Sequence, residues 1–323
     1  MNLPRMGYLD TLERSDFLLT DGAIGTCLEH RFSVPLDPEI GPTRLVDDDR
    51  GRAALEALYL RYLEVGHRHG VPMQIGAPTF RAGPERLRRA GYSGPSEVHR
   101  VNADCFRLLA RVREGLGDYG EKVFISGVIG PKGDCYKPEE APGTDVAADY
   151  HRAQAEALAE AGVDLLVAAT LPAAPEALGV ARAMAGTGLP YVISAVIRGS
   201  GSLLDGTSLA EVIERIDGSA SPRPAYYAVN CVHPSVLREA LRSDERLRRL
   251  AGVRLLDFKA NASRRPPEEL EGLDHLEAES PERLADEIVA LRDVYGLKVL
   301  GGCCGTDDRH IAALADRLLV GGR

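Results

Sequence analysis

Eight short β-rich runs, each followed by a segment of helical pattern, predict an α/β protein folded as one (β/α)8 TIM barrel spanning residues 1–323. Two further observations support that fold class. The runs are apolar on both faces, as strands of a parallel sheet covered by helices are expected to be. The chemically unusual stretches all fall just after runs, where the carboxyl ends of barrel strands gather at one mouth. The alternative with the same alternation is an open doubly wound sheet.

The elements follow in order. "FLLT" at Phe17 runs into "DGAIGT" (21–26), and a helix-rich insert, "HRFSVPLDPEIGPTRLVDDDR", then reads as a long loop at one end of the barrel. "AALEALYLRYLEVGHRHG" is the next helix. "VPMQIG" at Val71 ends in "APTF", and "KVFISGV" at Lys122 ends in "GPKGD". "DVAADYHRAQAEALAEAG" carries apolar residues at helical spacing and stops at Gly162. "VDLLVAA" at Val163 and "PYVISAV" at Pro190 come next. "AYYAVN" at Ala225 leads into Cys231, "VRLLDFK" at Val253 into Asn261, and "LKVLGG" at Leu297 into the vicinal pair Cys303–Cys304.

Composition narrows the function. A net charge of −9 argues against a nucleic acid partner. No apolar run approaches the roughly 18 residues of a membrane span, and the charged N-terminal stretch lacks a signal-peptide core. A cytoplasmic protein is expected, acting on small molecules, with a homo-oligomer left open. Its six cysteines are then free thiols and not a disulfide framework.

Cys231, Cys303 and Cys304 end the sixth and eighth runs, so a barrel brings them together. Three thiolates suit zinc, and three protein ligands leave a fourth position for substrate. The glycines of "GGCCG" let the backbone turn both sulfurs toward one ion. A redox disulfide, or an accidental pair with one buried member, fits the vicinal cysteines as well.

The motifs "DGAIGT", "NCVHP" (230–234), "GGCCGT" (301–306) and "LLDGTSL" at Leu203 together resemble the homocysteine S-methyltransferase family, over a stretch from Leu18 to Ala315. The resemblance implies a zinc-dependent S-methyltransferase, with Cys231, Cys303 and Cys304 as metal ligands and the substrate thiol in the fourth place. It also implies a role in methionine biosynthesis. Substrate contacts then fall to Asp21, Gly25, Thr26, Thr79, Thr170, Asn230 and Asn261, with Asp21 facing a substrate ammonium group and Asn230 orienting the loop beside Cys231. The donor is expected to be small, because the chain has no room for separate folate and corrinoid domains. The lack of Trp limits an aromatic cage for a quaternary ammonium and favours a sulfonium.

Two positions depart from the family pattern. Ala169 stands before Thr170 where the family carries a Glu that helps hold the amino group of homocysteine, and "APTF" replaces a Thr-rich run. The thiol is therefore homocysteine or a related thiol, unless another acid such as Asp134 takes over. The alternatives are a zinc hydrolase or lyase, disfavoured because three thiolates weaken zinc as a Lewis acid, and a non-catalytic metal- or thiol-binding barrel. His233 is read as a surface or loop residue, Cys135 as a spectator thiol in a mouth loop, and Cys27 and Cys105 as small core residues on helices.

Overall fold

A computed structural model describes residues 6–94, 96–266, 269 and 277–320. Eight parallel strands close into a barrel in sequence order. They are β1 (Leu18–Thr20), β2 (Met73–Gly76), β3 (Val123–Ile129), β4 (Leu165–Leu171), β5 (Tyr191–Ala195), β6 (Tyr226–Val232), β7 (Leu255–Ala260) and β8 (Val299–Gly302). Each lies within or against one of the eight β-rich runs. The β1–β8 pairing, Leu18 to Val299 and Leu19 to Leu300, closes the ring and excludes the open sheet.

Helix boundaries follow local chemistry. The Asp48 carboxylate accepts from Gly51 N at 2.8 Å and caps the helix Asp49–His69, which stops at Gly70 with φ 68°. Helix Thr144–Ala161 ends at Gly162, φ 98°, where the sequence places its stop. The insert after β1 is helix-rich, as expected, and more ordered than a long loop. It folds as helix Gly25–Phe32, a turn, and a 3-10 helix Pro42–Asp47. The Asp37 carboxylate organises that turn by accepting from Glu39 N and Ile40 N and pairing with Arg44.

Side chains alternate between two cores. Leu19, Met73, Ile125, Leu166, Ile193, Tyr227, Phe258 and Leu300 face the helices. Leu18, Phe124, Leu165, Val167, Val192, Tyr226, Ala228 and Val299 fill the lumen. The short helix Tyr8–Arg14 plugs the amino-terminal end with Tyr8 and Leu12. The Tyr8 hydroxyl donates to Gln74 Oε1 at 2.7 Å, so the plug is held by a buried polar bond as well as by apolar contact.

β7 departs from the expectation that every strand is apolar on both faces. Phe258 and Ala260 pack toward the helices, so Asp257 and Lys259 face the lumen by alternation. Asp257 is fully buried and neither carboxylate oxygen has a hydrogen-bond partner. Burial pushes its acid up to about 6, against the opposing charge of Lys259.

Candidate metal centre at the barrel mouth

Two strands end in irregularities that shape the mouth. β4 shifts register between Ala168 and Leu171, and β6 between Asn230 and Val232. Each shift contains a non-glycine residue in the left-handed region: Thr170 and Cys231, both at φ 58°. That conformation costs about 1–2 kcal/mol per residue, so something must hold it. Asn230 does so for both strands. Its Oδ1 accepts from Thr170 N (2.9 Å) and from the Ser194 hydroxyl (2.6 Å), while its Nδ2 donates to Thr170 Oγ1 (2.7 Å). The bulge turns the Cys231 sulfur into the mouth.

After β8 the chain makes a tight turn that presents both remaining cysteines. Cys303 N donates to Ala260 O at 2.7 Å, Ala262 N donates to Cys304 O at 3.0 Å, and the Thr306 hydroxyl donates back to Cys303 O at 2.7 Å. Gly301 is required because a Cβ there would lie 2.0 Å from Thr20 Oγ1. Gly305 takes φ 80° to complete the turn.

The three sulfurs of Cys231, Cys303 and Cys304 lie within 4.8 Å of one another, with Cys231 and Cys304 at 3.4 Å. Tetrahedral zinc–thiolate geometry places sulfurs about 3.8 Å apart, so the cluster fits one such ion. All six cysteines are free thiols. Hydrogen bonds from Cys303 and Cys304 hold the Cys231 thiol well below its ordinary range, and that thiolate pushes both neighbours up. Three thiolates this close need a cation among them to ionise together. Two amides point at the sulfurs: Asn230 Nδ2 toward Cys303 and Asn261 Nδ2 toward Cys231, each at 3.9 Å.

Asp21 lies across the mouth at the end of β1, buried, its Oδ2 accepting from Gly76 N at 2.8 Å. Burial raises its acid to about 6, opposed by the charge of Lys259 and the Gly76 bond. Gly25 and Thr26 open the helix Gly25–Phe32 beside it, and the Thr26 hydroxyl is buried without a partner. Thr79 is fully buried, and its hydroxyl donates to Val128 O and accepts from Val128 N, which ties the segment after β2 to β3. Thr170 is engaged by Asn230, and Asn261 by Cys231 and by Ser263 N. Ala169 packs against the lumen cluster, so the position where the family carries Glu does face the interior.

His233 sits in the loop after β6, as one of its two expected readings had it, but it is not at the surface. It is 2 % exposed, caps the helix Pro234–Ser243 through Ser235 N, and reaches Glu279 at 3.3 Å. Glu279 and Glu287 gather near it, but Arg264 bonds both and Arg238 bonds Glu287 at 2.7 Å. The arginines already neutralise the carboxylates, and this second cluster is an ion-pair clasp over the β6 and β7 loops. Tyr136 was not singled out by sequence. Its hydroxyl lies 3.1 Å from Cys231 Sγ, and Asp134, the acid considered as a substitute for the missing Glu, instead accepts from Tyr136 N within the same loop. Cys135 is half-buried, its thiol pushed up to about 12 by burial. Cys27 and Cys105 are buried in helices as expected.

A family model for homocysteine S-methyltransferase matches residues 18–318. The homocysteine S-methyltransferase of Escherichia coli (strain K12) is 26% identical over 95% of this chain and 96% of its own. The methionine synthase of Mycobacterium tuberculosis is 24% identical over 95% of this chain, which spans 25% of that much longer protein. The homocysteine methyltransferase MmuM from Escherichia coli has the same fold. Its oxidized form superposes with a TM-score of 0.78 and its metallated form with 0.77, each at 23% identity over 95% of this chain, covering 97% and 98% of those chains. With a closed eight-stranded barrel and a family match over nearly its whole length, the chain belongs to the homocysteine S-methyltransferase family.

Proposed function

We propose that this protein is a zinc-dependent S-methyltransferase that moves a methyl group from a small donor, a sulfonium favoured, to a thiol: homocysteine or a related thiol. The observation that carries the reading is the convergence of three sulfurs from β6 and β8 on one point at the mouth. Cys231, Cys303 and Cys304 would hold the ion. Zinc bound there supplies the Lewis acidity that keeps a fourth, substrate thiol deprotonated at neutral pH.

The chain's own residues do the rest. Asn230 and Asn261 aim N–H groups at the ligand sulfurs and spread their negative charge. Asp21 offers Oδ1 to a substrate ammonium while Gly76 N–H fixes Oδ2. Tyr136 covers Cys231 from the β3 loop and restricts water. The substrate sulfur's lone pair forms the new S–CH3 bond as the donor's S–CH3 bond breaks, its electron pair leaving with the donor sulfur as a neutral thioether. No general base is needed once the thiol proton has left, and what remains is the in-line approach of the donor. Among the described residues no helix is long and apolar enough to cross a membrane.

The test is a product assay on zinc-loaded protein with homocysteine and, in turn, S-methylmethionine, S-adenosylmethionine and betaine. Methionine is expected from a sulfonium. Failure of every pairing of these donors with homocysteine and other thiols to give a methyl thioether would favour the non-catalytic barrel instead.

A further inference from the structure

The lumen just beneath the cysteine cluster contains a charge arrangement that the metal chemistry does not use. Lys259 pairs in register with Asn230 on β6 and with Gly301 on β8. Its backbone is therefore level with the residue preceding Cys231 and with the one two places before Cys303. Alternation along β7 turns its side chain inward, and its charge acts on both Asp21 and Asp257. The β8 residue in this layer is Gly301, which adds no side chain of its own; the Thr20 side chain of β1 fills the space beside it. Lys259 is only partly buried, and among the described residues its ammonium makes no hydrogen bond and no ion pair within 4.0 Å. Neither carboxylate claims it: Asp21 Oδ2 is occupied by Gly76 N–H, and both Asp257 oxygens are unpartnered.

A thiol whose sulfur sits at the cysteine cluster carries its head group toward this region. It would find one lumen-facing acid at the mouth, Asp21, because Ala169 supplies none. It would also find one cation without a contact partner. A buried carboxylate needs such a partner, and a free ammonium on a flexible stem is suited to reach it.

We propose that Lys259 receives the carboxylate of the thiol substrate, so that the site selects its substrate by the acid group more than by the amino group. The substrate class is thus a thiol bearing a carboxylate a few bonds from sulfur, with or without an amine. This rests on the thiol-binding part of the proposed function.

The experiment is calorimetric binding to zinc-loaded protein, which needs no methyl donor, with three thiols. These are homocysteine, 4-mercaptobutyrate, which lacks the amine, and 3-aminopropane-1-thiol, which lacks the acid. A charge-assisted contact sets the scale at about tenfold to a hundredfold. 4-Mercaptobutyrate is expected within about tenfold of homocysteine, and the aminothiol weaker than either by about that contact factor. Lys259→Met should weaken both acids by the same factor and leave the aminothiol unweakened, while Lys259→Arg keeps the preference for acids. Zinc content of each variant reports whether the cluster is intact, and the ligand series on the natural protein tests the claim even if Lys259→Met does not fold. The proposal is overturned if the natural protein binds the aminothiol as well as 4-mercaptobutyrate, or if zinc-loaded Lys259→Met loses all three ligands equally. Binding of none of the three removes the thiol reading itself, and this proposal with it.

Discussion

Cys304→Ser is expected to leave a folded barrel that no longer retains zinc after chelator dialysis and to slow the proposed methyl transfer by at least about a hundredfold. Fold and metal separate here because of where the residue sits. The turn after β8 is held by backbone bonds, Ala262 N to Cys304 O and Cys303 N to Ala260 O, and by the Thr306 hydroxyl, none of which uses the Cys304 sulfur. That sulfur's contact is Cys231 at 3.4 Å. Serine keeps the backbone and removes one of three thiolates, and a hydroxyl is a far poorer zinc donor at neutral pH. Cys105→Ser is the matched control: it lies in the helical core away from the cluster and should keep full zinc while losing some stability. Elemental analysis and a thermal melt on both variants read the two effects separately. Full zinc retention by Cys304→Ser would contradict the ligand assignment.

Asp257→Asn is expected to make the protein more stable at pH 8 by about 3 kcal/mol, with the gain gone below about pH 4. The direction follows from burial. The acid is held at about 6 in the folded barrel against 3.8 as its ordinary value, with desolvation the main cause. Between those values the native state binds the proton more tightly than the unfolded chain, so stability falls as pH rises through this window. Above about pH 6 the whole penalty is present; below about pH 4 both states are protonated and asparagine resembles the protonated acid. Urea titrations at pH 4 and pH 8 measure it. Equal stability of the two proteins at pH 8 would mean that Lys259 neutralises Asp257 fully, which would also weaken the case for Lys259 as a carboxylate receptor.

The barrel was legible because its signal repeats. Eight apolar runs, each bounded by turn residues, survive one or two ambiguous boundaries, and parallel strands buried on both faces read as continuous apolar stretches. The cysteine cluster was legible for a related reason. Once the strands are ordered, residues just beyond their carboxyl ends must meet, however far apart they lie in sequence. What the sequence obscured depends on side-chain direction or on distant segments. Asp257 and Lys259 were visible as a D-x-K pattern in "LLDFK", but only the register shift beside Tyr227 and Ala228 decides that they face the lumen. His233 looked like a surface residue because its burial comes from Glu279, 46 residues away, folding over it. Tyr136 had a usable signal, an aromatic next to Cys135 in a mouth loop, but its approach to Cys231 depends on the Asp134 turn that aims it. The helices of the insert after β1 were legible, but the turn between them was not, because one residue, Asp37, organises it through backbone N–H groups.

In the proposed function, three cysteines hold one zinc ion whose remaining position is taken by the substrate sulfur. Zinc K-edge absorption on the loaded protein, with and without homocysteine, tests it most directly. Three sulfur neighbours rising to four on addition of the thiol is the predicted result; a sulfur count that stays at three with the thiol bound would contradict it.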